Sequence, residues 1–235
     1  MSALVIGAMV PDWPLMFEWG PNYAQTHALW GIPLVCMPMG LLLLLTYELL
    51  IRGSLVQLLP RWFRERLVAN PTRAGSVASS QYASAWFWLV AAVAVMIGSA
   101  SHVMIDSFTH VDRWGTNLVP ALNRTALAIG SWEVPMYKLL QHGGSALGLP
   151  MLLAVFVFWT KRQTPEQELH GRSNRWRATW LSFLVTSVVA GTAWFLRSHE
   201  VTSMATLVSL IMRGSMSGGA IGLLIFGLAN QRSNG

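Results

Sequence analysis

Cysteine is almost missing from this chain of 235 residues: the single one, Cys36, lies inside an apolar run. Without an intramolecular mate it supports neither a disulfide framework nor a thiolate-built metal site. Charge is scarce too. Charged residues make up 11% and hydrophobic residues 53%, with a mean hydropathy of +0.45, which excludes an ordinary water-soluble domain and indicates a membrane protein. Acids number 10 against 16 Lys and Arg. The cations flank apolar runs, where they read as topology signals and contacts with anionic lipid, so nucleic acid is not expected as a partner. The start, Met1-Ser-Ala-Leu-Val-Ile, has no basic n-region and no cleavage site, and the first span is expected to serve as its own insertion signal. No internal repeat is visible, which disfavours a transporter built from two similar halves.

What is present is a series of long apolar runs. Crossing a hydrocarbon core of about 30 Å takes roughly 20 residues, and runs of that length lie at Ala28 to Ile51, Ser84 to Met104, Pro135 to Trp159, Trp176 to Leu196 and Met204 to Leu228. The expected fold is an all-α polytopic bundle of five transmembrane helices, a single integral-membrane domain over residues 1–235. Arg52, Arg61, Arg64, Arg66 and Arg73 follow the first span, and Lys161, Arg162, Arg172, Arg175 and Arg177 follow the third. The positive-inside rule puts both clusters in the cytoplasm, with the N-terminus outside and the C-terminus inside. On this topology residues 1–27 form an outer N-terminal segment, 52–83 a cytoplasmic interfacial segment and 105–134 an outer loop. Ser54 to Val68 mixes Leu and Val with Arg and Gln around Trp62 and Phe63, the pattern of an amphipathic interfacial helix, which Pro60 kinks or restarts. Trp86, Trp88, Trp159, Trp176, Trp180 and Trp194 fall near span ends as headgroup anchors. Gly214, Gly218 and Gly222 make one face of the last span smooth, for central packing or for a homo-oligomer contact.

The chemistry concentrates in Ser101-His102-Val-Met-Ile-Asp106-Ser-Phe-Thr109-His110. Residues four apart stack on one helix face, so His102, Asp106 and His110 converge on one ion or two neighbouring ions if the helix continues through Thr109. The topology brings Asp12 and His27 to the same membrane face, and His142 enters that layer from the third span. A carboxylate near hydrocarbon costs about 2.5 to 3.5 kcal/mol unless compensated. A divalent metal supplies that compensation; a metal-free network of protonated histidines with Asp12 and Asp106 is the rival. Imidazole and carboxylate donors suit zinc, manganese or ferrous iron, and an open coordination position would activate water for hydrolysis of an ester or phosphoester. Arg213, inside the last span, either holds a phosphate or an anionic transition state near the metals, or else snorkels or pairs with a buried acid. Asp112 is the expected general base or ligand-orienting acid beside His110. His170 and His199 are read as solvated and left out.

The string Gly7-Ala-Met-Val-Pro11-Asp12-Trp13-Pro14, then Thr26-His27 heading an apolar span, then the His102 to His110 segment, resembles an uncharacterised bacterial membrane family, domain of unknown function 4184, over nearly the whole chain. That family is distantly similar to membrane-bound metal-dependent hydrolases and to the zinc phospholipase C and P1 nuclease group. The resemblance implies a bacterial inner-membrane protein in which Asp12, His27, His102 and Asp106 form a first zinc site and His110 and His142 belong to a second. Ala146 stands where the soluble enzymes place a carboxylate, so the second site lacks one donor. Relatives usually begin with an extra segment carrying a Ser-His pair, which implies a start upstream of Met1 and no third metal here. The expected function is a membrane-bound hydrolase carrying one or two divalent ions and acting at the outer face on a phosphoester or related ester, including lipid-linked ones. The alternative is a non-enzymatic membrane module with a metal- or pH-sensing His/Asp cluster.

Overall fold

The computed structural model describes residues 1–67, 82, 84–130, 132–165 and 173–232. The chain opens with α1 (Ser2–Met9), a tight turn over Val10–Asp12, and the single-turn helices α2 (Trp13–Met16) and α3 (Tyr23–Thr26). Then follow α4 (Ile32–Leu58), α5 (Arg61–Leu67), α6 (Ala85–Thr109), α7 (Trp114–Leu118), a hairpin of β1 (Thr125–Ile129) and β2 (Trp132–Pro135), α8 (Met136–Lys161), α9 (Asn174–Ser198) and α10 (Met204–Arg232). Five of these helices, α4, α6, α8, α9 and α10, are long and apolar enough to cross a membrane. The protein is an all-α polytopic membrane bundle.

The spans extend a few residues beyond the apolar runs, because helical hydrogen bonding continues into the polar flanks. The extension of α6 to Thr109 puts His102 and Asp106 on one continuous helix. At the other end of α4, Leu59 turns extended before Pro60, and α5 restarts at Arg61, as the steric demand of the proline ring requires. The expected interfacial helix over Ser54 to Val68 is thus divided: its first residues prolong the span and the rest form α5, while residues 68–81 and 83 of the 52–83 segment lie outside the described residues. The 105–134 segment contains α7 and a two-stranded antiparallel hairpin, with Leu127 opposite Val134 and Ala128 opposite Glu133. Part of the 1–27 segment is laid against the middle of α6.

Two glycine contacts determine the packing. A methyl group on Gly98 would sit 2.2 Å from the Leu4 carbonyl oxygen, and one on Gly7 would sit 2.3 Å from that of Val95. Only hydrogens at these positions let α1 and α6 touch backbone to backbone, and Ser99 Oγ donates to Gly7 O at 2.8 Å across the seam. The second contact joins α9 and α10 through Gly191, Gly214 and Gly218, where an added methyl would meet a carbonyl oxygen at 2.1 to 2.6 Å. Gly222 of α10 lies against Ser187 of α9. The smooth face of the last span is therefore packed against α9 within the chain. α4 ties the two units together: Gly227 packs on Leu50 O, and Asn230 Nδ2 donates to Ser54 Oγ at 3.0 Å.

Candidate metal centre

Asp12 ends the tight turn that follows α1 and heads α2, between Pro11 and Pro14. The short α3 survives because Asn22 caps it reciprocally: Gln25 N donates to Asn22 Oδ1 at 2.9 Å and Asn22 N to Gln25 Oε1 at 2.8 Å. This single turn places Tyr23 and His27 one above the other, with ring centroids 3.7 Å apart. The fully buried Thr26 donates to Pro11 O at 2.7 Å, stitching α3 to the Asp12 turn. His102 arrives from α6, and the ligand atoms of Asp12, His27 and His102 all lie within 4.8 Å of one another.

The spacing separates coordination from hydrogen bonding. His102 Nε2 lies 3.5 Å and His27 Nε2 3.8 Å from Asp12 Oδ1, long for hydrogen bonds. Two donors on one tetrahedral ion, each about 2.1 Å from it, stand about 3.4 Å apart. Both Nε2 atoms are buried and have no hydrogen-bond partner, an orphaned state that folded proteins rarely keep without a function. The tautomer of His27 follows from its other nitrogen. Nδ1 is 3.1 Å from Tyr23 O, a carbonyl that only accepts, so Nδ1 carries the proton and Nε2 holds a free lone pair aimed at the cluster. Burial lowers the pKa of His27 below the ordinary imidazole value, against the pull of Asp106 and Asp12, so at neutral pH it is uncharged and ready to ligate. Three protein donors match the donor count of catalytic zinc sites, and the set fits a divalent ion.

Asp106 stands at the edge of this set. Its Oδ2 is 3.6 Å from His27 Nε2 and accepts from Tyr23 Oη at 2.8 Å. Its Oδ1 is 2.7 Å from His110 Nδ1. Gln141 Nε2, which can only donate, is 3.1 Å from His110 Nε2, so His110 accepts there and donates its Nδ1 proton to Asp106. Both ring nitrogens of His110 are thus engaged, and His110 orients Asp106. The hydrogen bond to the carboxylate raises the pKa of His110. Burial, followed by the Asp106 hydrogen bond, raises that of Tyr23, which keeps the phenol a donor. Arg113 lies over the Tyr23 ring at 5.0 Å. Beside His102 a cavity of about 190 Å³ is lined by Ala8, Ser101, Ile105, Asp106 and Thr109.

The remaining sequence-selected residues lie elsewhere. His142 is exposed on α8, and the side chain that reaches His110 is that of its neighbour Gln141. Asp112 is exposed in the turn after α6 with φ of 59°, a left-handed conformation that Asp tolerates better than most residues. Arg213 Nε donates to Leu15 O at 2.8 Å, and its Nη2 is 3.8 Å from Oε1 of Glu18, an exposed acid where a buried one was expected. His199, read as solvated, has Nε2 2.8 Å from that same Glu18 oxygen. Tyr23, Gln141 and Glu18 were not singled out from the sequence. Tyr23 carried a signal, four residues before His27 on the same helix face; Glu18 and His199, 181 residues apart, carried none.

No curated protein and no solved structure matches the chain. The family model described as Domain of unknown function (DUF4184) matches residues 1–228, and the chain belongs to that family.

Proposed function

We propose that the protein is a membrane-bound, metal-dependent hydrolase of phosphoesters or related esters. The observation that carries this reading is the pair of buried, partnerless Nε2 atoms of His27 and His102 facing Asp12 at coordination spacing. In it Asp12, His27 and His102 hold one divalent ion, with zinc the best match to the donor types and manganese or iron as competitors. A bound ion in such a site lowers the pKa of a coordinated water and polarises the scissile bond. Asp106, oriented by Tyr23 and His110, is the nearest carboxylate to receive a proton from that water. The cavity beside His102 gives substrate a place next to the ion. By the charge bias of the loops, the centre faces the outside, with the N-terminus out and the C-terminus in, and the distant resemblance to bacterial membrane hydrolases makes the bacterial inner membrane its setting.

Metal analysis of protein purified without chelator tests the reading, together with hydrolysis of bis-p-nitrophenyl phosphate. Wild type should hold close to one zinc or manganese per chain, with His102→Ala losing nearly all of it and Asp106→Ala losing both activity and part of the metal. Unchanged metal in both variants would remove the hydrolase. The second reading, a metal- or pH-sensing module, draws support from the Tyr23–Asp106–His110 hydrogen bonds, which are complete without an ion. It predicts metal binding with no turnover.

A further inference from the structure

Arg64, on α5, is 6% exposed, and its Nε and Nη1 are fully buried with no hydrogen-bond partner. Among the described residues no carboxylate lies within ion-pair range of it. The acids on this part of the chain are already taken: Glu65 by Arg61, and Glu48 by Arg52 at 2.6 Å. Two residues on, on a different face of α5, the Arg66 guanidinium rests over Trp62 at 4.4 Å and its Nη1 donates to Trp62 O at 3.1 Å, while its Nε is buried and unpartnered. A guanidinium cannot shed its proton to relieve burial. Leaving it desolvated and unpaired is among the costlier things a fold can do.

α5 docks on the far part of α8, where Phe63 stacks on Phe156 with centroids 5.8 Å apart. The exposed Lys161 and Arg162 close the same helix. The Gln141 contact with His110 is fifteen residues earlier on α8, roughly 22 Å away at about 1.5 Å per residue. This basic cluster is therefore separate from the metal centre and owes nothing to it. It sits where two spans end, beside exposed Trp62 and Trp159, the level at which lipid phosphates lie.

We propose that Arg64 is the core of an anion site that takes a phosphate group. The oxygens of a phosphate would accept the idle N–H donors and neutralise the buried charge, the pairing that guanidinium geometry favours. Position at the span ends makes the phosphate of an anionic lipid the ligand, in preference to a soluble phosphate.

The full chain in a neutral detergent tests this by thermal unfolding and native mass spectrometry, with added phosphatidic acid, phosphatidylcholine, inorganic phosphate or glycerol 3-phosphate. Phosphatidic acid should raise the Tm of wild type and stay bound; phosphatidylcholine should do neither. Arg64→Met should abolish the shift and weaken phosphatidic acid binding by about tenfold or more, yet be at least as stable as wild type without lipid, since it removes an unpaired buried charge. Arg64→Lys, which keeps the charge, guards against misfolding and should retain part of the shift. Arg61→Gln, at an exposed position, should keep it. An equal shift from inorganic phosphate or glycerol 3-phosphate that Arg64→Met abolishes would sustain the phosphate site and make its ligand a soluble one. A full lipid shift in Arg64→Met, or no shift in wild type with any of the four, would overturn the site.

Discussion

His27 shows how much of the site rests on single atoms. Its position four residues after Tyr23 lets Nδ1 reach a carbonyl, which leaves Nε2 bare in a buried pocket. The same spacing stacks the Tyr23 ring on the imidazole and sends the phenol to Asp106. Tyr23→Phe removes that donor while preserving the ring. Partners of this kind commonly contribute about 10- to 100-fold to metal affinity, so the variant should bind zinc at least about tenfold more weakly in competition with a chromophoric chelator, with little change in Tm. Unaltered affinity would show that Asp106 needs no help from the phenol. Arg213 and Asp112 carry the opposite lesson. Both stood out as charged groups near the expected site, but the Arg213 guanidinium is spent on Leu15 O and Glu18 and Asp112 faces outward. Charge at a suggestive position in the chain does not establish direction.

At the level of elements, α6 was legible because an apolar run ending in His, Asp and His at four-residue intervals demands a continuous helix to mean anything. α3 and the Asp12 turn were less so. They are too short for periodicity and are stabilised by caps and a buried Thr26 hydroxyl rather than by an apolar face. The hairpin of β1 and β2 was missed, since nine strand residues in an all-helical pattern give only a faint alternation. Delivery of Asp12 depends on the α1–α6 seam, and Gly98 is its narrowest point. Gly98→Val would drive side-chain carbons into the backbone of Leu4 and Ala8, overpacking that typically costs about 1 to 3 kcal/mol. The expected result is a lowered Tm and loss of bound metal although no ligand has changed. Gly53→Ala, where a methyl group meets nothing within 4 Å, should leave both intact.

Across the whole molecule, two packed units, α1–α4–α6 and α9–α10, meet along α4, while α8 exposes much of its apolar surface, with Leu147 at 76% and Leu149 at 73%. Only hydrocarbon or a partner helix would cover such a face. Orientation is open to a direct test, since the sole native thiol, Cys36, is buried and should stay silent toward a membrane-impermeant maleimide. In intact cells Leu118→Cys, at the exposed end of α7, should label from outside, and Gln163→Cys, just past α8, only after permeabilisation. The reverse pattern would invert the topology and turn the metal centre inward. Composition and run length were enough to determine the five spans and the all-α class, because burying backbone in hydrocarbon leaves a helix as the solution that a long apolar run can satisfy by itself. Which donors meet was decided only in three dimensions. Asp12, His27 and His102 come together through glycine seams, a threonine hydroxyl and a capped single turn, contacts that include the Ser99–Gly7 hydrogen bond across 92 residues, whose pairing no local periodicity encodes.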